Sequence, residues 1–230
     1  MRTVSQIFAD MLANKEEFKA SGFLRQYGLR ETNALQWFAL KGIVSPEWMG
    51  LMQSLQNSAT REDMGNALLL TLAVPTAWEH RQVYIEWLAQ NLDAEWHKSH
   101  HPIHHAAFHG TWRAFNTLEA LYKAKTQDNF DWNTSNTSGH TPLYLALTEM
   151  QPEALVEILK KGANPHHMVN NPKDPGKQIS VLNLAFQNKS ATLSTVKEVW
   201  TAAKTKAAIQ QSLDDSAEDP SLSKKKNRKL

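Results

Sequence analysis

The sequence predicts an all-α solenoid of about five helix pairs, and three observations predict it. Similar blocks of residues begin near 33, 66, 101, 141 and 180, at steps of 33, 35, 40 and 39. Each block is followed by a second apolar-periodic segment of helical length. The blocks also carry helix punctuation, with capping residues at their starts and Gly or loop residues near their ends. Self-similarity at this period is the mark of a repeat architecture.

The clearest block runs from Gly139 to Pro165, "GHTPLYLALTEMQPEALVEILKKGANP". Gly139 supplies a tight turn. Thr141 can cap the first helix by accepting a backbone N–H bond. Pro142 stands at the first helical position, where a missing N–H costs nothing. Leu143, Leu145, Ala146 and Leu147 give the short inner helix its packing face, with Ala146 small where neighbours must approach. A second helix is expected from Pro152 to Lys161, ending at Gly162 in the left-handed conformation.

The same block returns in looser form. It reads "HPIHHAAFHG" from His101, "NALQWFALKG" from Asn33, "NALLLTLAVP" from Asn66 and "SVLNLAFQNK" from Ser180. Asn33, Asn66, Thr141 and Ser180 are all good N-cap residues. The second helices are expected at Pro46–Leu55, Trp78–Asn91, Trp112–Ala124, Pro152–Lys161 and Thr192–Ala203. In the Trp78 segment, Val83, Trp87 and Leu88 recur at helical spacing beside Tyr84. The two longer steps need insertions, and the loops "KTQDNFDWN" and Pro165 to Ile179 can hold them.

These blocks resemble ankyrin repeats. Gly139 to Pro165 is similar throughout, and His101 to Gly110 follows the family pattern T-P-L-H-x-A-A-x-x-G, with His for Thr and Ile for Leu. "FDWNTSNTSGHTPL" resembles the hairpin between repeats, with Trp132 where a small aliphatic is usual, a local enlargement of the core. The resemblance covers residues 28–204 and is closest over 99–165. It implies an ankyrin-repeat array with residues 1–27 as a helical N-terminal cap. Ile7, Phe8, Met11, Leu12, Phe18 and Phe23 would then cover the end of the stack. Residues 205–230 would form a helix end and a flexible charged tail. A tetratricopeptide-like solenoid or an irregular bundle is the other helical reading, and the T-P-L and G-A-N-P blocks argue against it.

Composition narrows the function. The chain has 230 residues, 41% of them hydrophobic, and its longest apolar run, Ala67 to Val74, is far too short to span a bilayer. The N-terminal stretch carries acids within its apolar residues and does not read as a secretory signal. With no cysteine, disulfides and cysteine-based metal or redox sites are excluded. The net charge is +2. From Ser212 onward, five basic residues against four acidic ones leave +1, so the body is nearly neutral and a nucleic-acid partner is not indicated.

The resemblance implies a module that binds a partner protein on a concave face. No cofactor or membrane span is expected, and a monomer is expected although the pattern itself does not fix the oligomeric state. The groove-facing positions are then Leu40 and Lys41, Ala73 and Val74, Phe108 and His109, Thr148 and Glu149, and Gln187 and Asn188. The hairpin tips would offer Arg30, Thr32, Asp63, Lys98, His100, Ser138 and His140. Leu40 and Phe108 carry the most weight, because an exposed large apolar side chain can anchor a partner. Phe108 has a second reading, as core under the third repeat.

Two signals compete with this reading. Six of the ten histidines, His97, His100, His101, His104, His105 and His109, lie in one stretch. Pairs four apart can share a metal on a helix. Against that, His104 occupies the repeat's own His position, His101 a cap position, and Pro102 marks a helix start. No glycine-rich phosphate loop, G-x-S-x-G or kinase signature occurs, so an enzyme is not expected. A metal-binding or enzymatic helical-repeat protein is the alternative function. The tail from about Ala207 is polar and charged, and Lys224 to Lys229 resembles a nuclear-import run. Small divergent ankyrin proteins with such tails look like effectors that intracellular bacteria deliver to host cells. That implies a host-cytosol location with nuclear entry, against an ordinary cytoplasmic scaffold.

Overall fold

The structure, a computed structural model, describes residues 34–41, 59–74, 78–171, 173–174 and 176–187, together with 198, 201 and 205. The described chain is mostly helical, with one short two-stranded ladder. None of its helices is long and apolar enough to cross a membrane. The chain divides into two compact units, residues 1–131 and 132–230. The expected N-terminal cap, the helix at 46–55, most of 192–203 and the tail beyond 205 lie outside the described residues.

The first unit holds α1 (Ala34–Lys41), α2 (Arg61–Ala73), α3 (Trp78–Gln90), α4 (Ala94–His100), α5 (Pro102–Phe108) and α6 (Phe115–Thr126). A single 3-10 turn, Trp112–Ala114, leads into α6. The centre is α2, which packs against α1, α3 and α5. It buries Met64, Ala67, Leu68 and Leu72. Burying one such side chain is worth about 1.5–3 kcal/mol. Its start is a capping box: the Thr60 hydroxyl accepts the Asp63 N–H at 3.1 Å, and the Asp63 carboxylate accepts the Thr60 N–H at 3.0 Å. The helix therefore begins at Arg61, and Asn66 is an exposed residue inside it instead of a cap. Asp63, expected at a hairpin tip, is part of that cap.

In α3 the buried face is Tyr84, Ile85, Leu88 and Ala89. Val83, expected on that face, is 42% exposed, because the i, i+4 pairs 84/88 and 85/89 leave position 83 to one side. The Tyr84 hydroxyl donates to the Leu35 carbonyl at 2.7 Å and ties α3 to α1.

Helix α4 stands where a hairpin carrying Lys98 and His100 was expected. Asp93 caps it by accepting the Trp96 N–H at 2.8 Å. Its indole, Trp96, is buried against α2 at Gly65. One residue, His101, separates α4 from α5. Its φ of 49° is left-handed, and its side chain makes no cap hydrogen bond. The turn thus works through backbone geometry, and the cap role expected of this side chain is absent.

The second unit holds α7 (Pro142–Thr148), α8 (Pro152–Lys160), β1 (Met168–Asn170), β2 (Gln178–Ser180) and α9 (Val181–Gln187). Thr141 caps α7, its hydroxyl accepting the Tyr144 N–H at 3.2 Å. Ser180 does the same for α9, accepting the Asn183 N–H at 3.1 Å. Trp132 is 4% exposed, with the Lys161 ammonium 5.9 Å from its ring centroid. The segment 165–179, expected to be an irregular loop, carries an antiparallel ladder. Met168 pairs with Ser180, Val169 with Ile179 and Asn170 with Gln178. Burial of Val169 and Ile179 fixes that register.

One local pattern appears in both units. In the first, the His105, His109, Gly110 and Thr111 N–H groups donate to the His101, His105, Ala107 and Ala106 carbonyls. In the second, the Leu145, Glu149, Met150 and Gln151 N–H groups donate to Thr141, Leu145, Leu147 and Ala146. Every partner is displaced by the same 40 positions (145 − 105, 149 − 109, 150 − 110 and 151 − 111). Both helices carry Pro at the first position, and both end in a positive-φ residue, Gly110 or Met150. This six-residue closure turns the chain so that α6 packs on α5, and α8 on α7.

Gly65 gives a direct test of the α2–α4 contact. A Cβ there would lie 2.7 Å from Trp96 Cε2 and closer still to Nε1. Alanine gains about 0.5–1 kcal/mol of helix preference, but forcing a buried indole aside costs about 1–3 kcal/mol. Gly65→Ala is expected to lower the urea midpoint, by about 1–2 kcal/mol in stability. An unchanged or higher midpoint would show that Trp96 does not sit against Gly65.

Candidate partner-binding surfaces

The C-terminal ends of α5 and α7 place the expected contact residues. Phe108 closes α5 with 37% of its surface exposed, so it is not core. Its ring stands edge-on to His109 at 4.8 Å. His109 in turn packs edge-on to His105 at 4.6 Å. In the second unit the Thr148 hydroxyl donates back to the Leu145 carbonyl at 3.1 Å, while Glu149 and Met150 are exposed. Ser138 and His140 lie in a turn organised by Asn136, whose side-chain oxygen accepts both N–H groups at 3.0 Å. The His140 ring stacks on Tyr144 at 4.3 Å.

Lys98 and His100 belong to α4. The Lys98 ammonium reaches Asp128 at 3.5 Å, and the pair is too exposed to count for much. The His100 ring lies flat on Trp96 at 4.7 Å. Nothing is described for the side chains of Leu40, Lys41 and Gln187, and Asn188, Arg30 and Thr32 lie outside the described residues.

A cleft of about 300 Å³ opens beside α5 in the first unit. Ala73, Val74 and His109, three positions marked as groove-facing, line it together with Trp78, Arg81, Gly110, Thr111, Trp112 and Arg113. Arg81 is the buried wall, 9% exposed. Its guanidinium donates to the Thr111 hydroxyl at 3.0 Å and to the Leu72 carbonyl at 3.3 Å. The Thr111 hydroxyl donates to that same carbonyl at 2.6 Å. Burial pulls the Arg81 guanidinium below its ordinary value, yet an arginine so placed keeps its charge at neutral pH. Arg113 is exposed and holds its guanidinium 5.3 Å from the Trp112 ring centroid. The sequence reading passed over these aromatic and basic residues. The one available signal was that Trp and Arg recur together at the starts of two second helices, Trp78 with Arg81 and Trp112 with Arg113.

Among the described residues the histidines meet in pairs and do not gather as a larger group. His97 is buried in α4, with Nε2 3.0 Å from the Ala89 carbonyl. His104 is buried in α5, edge-on to His101 at 5.1 Å and to Phe130 at 6.0 Å. The four-apart pair His100 and His104 is split between two helices. Among the described residues, no three His, Cys, Asp or Glu side chains are grouped to hold a metal ion.

His105 has consequences for stability. Burial, and next the neighbouring His109, push it from the ordinary 6.5 down to about 4, against a hydrogen bond with the Leu69 backbone that works the other way. Its Nε2 has no hydrogen-bond partner among the described residues. Burial lowers His97, His101 and His140 as well. The unfolded chain takes up these protons near pH 6.5, and the folded chain resists them. Stability is therefore intact above pH 6.5 and falls as pH drops towards 4, by about 3 kcal/mol at most for His105. His105→Gln should flatten that slope in urea titrations between pH 7 and 4. An identical slope in the variant would remove His105 from the effect. In comparisons with known proteins, no protein-family model matches the chain, and no curated protein matches it.

Proposed function

We propose that this chain is a protein–protein interaction module of the ankyrin-repeat type, with inner helices beginning at Ala34, Arg61, Pro102, Pro142 and Val181, and not an enzyme. It holds a partner protein against the exposed ends of its inner helices and the loops beside them. The observation that carries the reading is that α5 and α7 are both seven-residue helices with Pro at the first position and the same closure displaced by 40 residues; the closure by itself also ends α8, at Lys161, Gly162 and Ala163. Repetition of a helix-and-return unit is the construction of a solenoid, whose elements stack neighbour on neighbour. The packing of α1 on α2 and of α2 on α5, and separately of α7 on α9, supports it.

The binding role rests on what the helix ends leave uncovered. Phe108 at the end of α5 and Met150 just past α7 are large apolar side chains with 37% and 71% exposure. They are not equivalent positions: at a displacement of 40, Thr148 stands where Phe108 does and Gly110 where Met150 does, so each unit exposes a different large apolar residue at its helix end. An exposed aromatic is a natural anchor for a partner. A cytoplasmic scaffold and an effector acting in a host cell are both uses of such a surface, and the run Lys224 to Lys229 that bears on nuclear entry lies outside the described residues.

The test is capture of a partner from cell extract by the full chain, its identification, and its measurement with purified components. Met150→Ser should leave the melting temperature within about 2 °C, as surface changes do. Phe108→Ser, whose ring packs partly against His109, should lower it by a few degrees and, compared where both proteins are folded, should weaken the identified partner about tenfold or more. Unchanged affinity in both Phe108→Ser and Met150→Ser would contradict this use of the helix ends.

A further inference from the structure

We propose that the cleft beside α5 is a subsite for a carboxylate side chain, a Glu or Asp presented by the partner protein. This rests on the interaction-module reading and adds the chemistry of what is recognised. Size comes first. Sites for small molecules and cofactors run from about 300 to 1,000 Å³, and this cleft, at about 300 Å³, suits a single inserted side chain.

Charge sets the sign. Arg81 and Arg113 both line the cleft, and among the described residues no Asp or Glu lines it. Arg81 is held in place by the Leu72 carbonyl and the Thr111 hydroxyl and forms a fixed positive floor. Arg113 sits exposed at the rim, in reach of an incoming anion. A guanidinium offers paired donors that match a carboxylate.

The walls favour a carboxylate on an aliphatic stem over a phosphate. Trp78, Trp112, Val74 and Ala73 supply apolar contact for methylene groups. A phosphate site would draw on free backbone N–H groups. Here the Gly110 N–H is taken by the Ala107 carbonyl at 3.3 Å and the Thr111 N–H by the Ala106 carbonyl at 2.8 Å. The closure takes up both of these amides.

The test titrates the full chain with acetyl-(Gly-Glu)3-amide and acetyl-(Gly-Gln)3-amide, following the Trp78 and Trp112 indole N–H signals by NMR. The Glu peptide should shift both signals, with the Gln peptide about tenfold weaker or more. Arg113→Gln should weaken the Glu peptide about fivefold or more, while Arg113→Lys, which keeps the charge and loses the paired donors, should fall between parent and Gln. Arg113 is exposed, so both variants should keep the parent's melting temperature. Equal response to the two peptides, no response at millimolar Glu peptide, or an unchanged Arg113→Gln would overturn the proposal. A response to inorganic phosphate in place of the Glu peptide would overturn it too. A protein partner held equally by the parent and by Arg113→Gln would contradict the acidic subsite while leaving the interaction module standing.

Discussion

A seven-residue helix makes too few internal hydrogen bonds to stand alone, and isolated helices under about 12–15 residues are marginal in water. Both α5 and α7 have that length. What holds them is burial of most of their side chains together with the closure at their C-terminal ends. The Thr111 N–H returns to the Ala106 carbonyl at 2.8 Å, and the Gln151 N–H to the Ala146 carbonyl at 2.9 Å. These bonds satisfy carbonyls that a short helix would leave open. They also reverse the chain, which delivers α6 to α5 and α8 to α7 as packing partners. Ala106 and Ala146 are fully buried, and their small size is what lets those partners approach.

The exposed features follow from the same turn. Chain reversal takes residues at and just past the helix end out of the core, which is why Phe108, the last residue of α5, and Met150, just past α7, reach solvent while Ile103 and Leu143, near the helix starts, do not. It also sets Thr111 beside Leu72 of α2, where the two share Arg81 as a bridging donor. Burying an arginine is costly unless its donors are met. The cleft is therefore a by-product of the closure: the turn gives one wall, α2 and α3 the others.

The sequence was most legible where side chain and backbone chemistry coincide. Thr141 and Pro142 announce α7 because a cap and a proline at the first position each act locally, and the structure has the cap bond in place. Legibility failed where a stronger signal lay slightly upstream. The run Ala67 to Val74 drew attention to Asn66, yet the Thr60–Asp63 capping box starts α2 a full turn earlier. Asp93, a good N-cap ahead of Ala94, marked α4, but the expected hairpin at Lys98 and His100 masked it. Val83 failed because periodicity alone does not say which of two adjacent stripes faces inward. Of the residues expected to meet a partner, Phe108, His109, Thr148 and Glu149 do stand at the ends of α5 and α7, where register puts them. Arg81 was not, since its place depends on Leu72 and Thr111, distant in sequence and brought together only by packing.

The central claim is that one closure, repeated 40 positions apart, organises each unit. Native-state amide hydrogen exchange on the full chain tests it most directly. The account predicts that the Thr111 and Gln151 N–H groups exchange with the slowest amides of their units, opening only when the inner helix unfolds. Exchange of either amide at the rate of an open loop would contradict it.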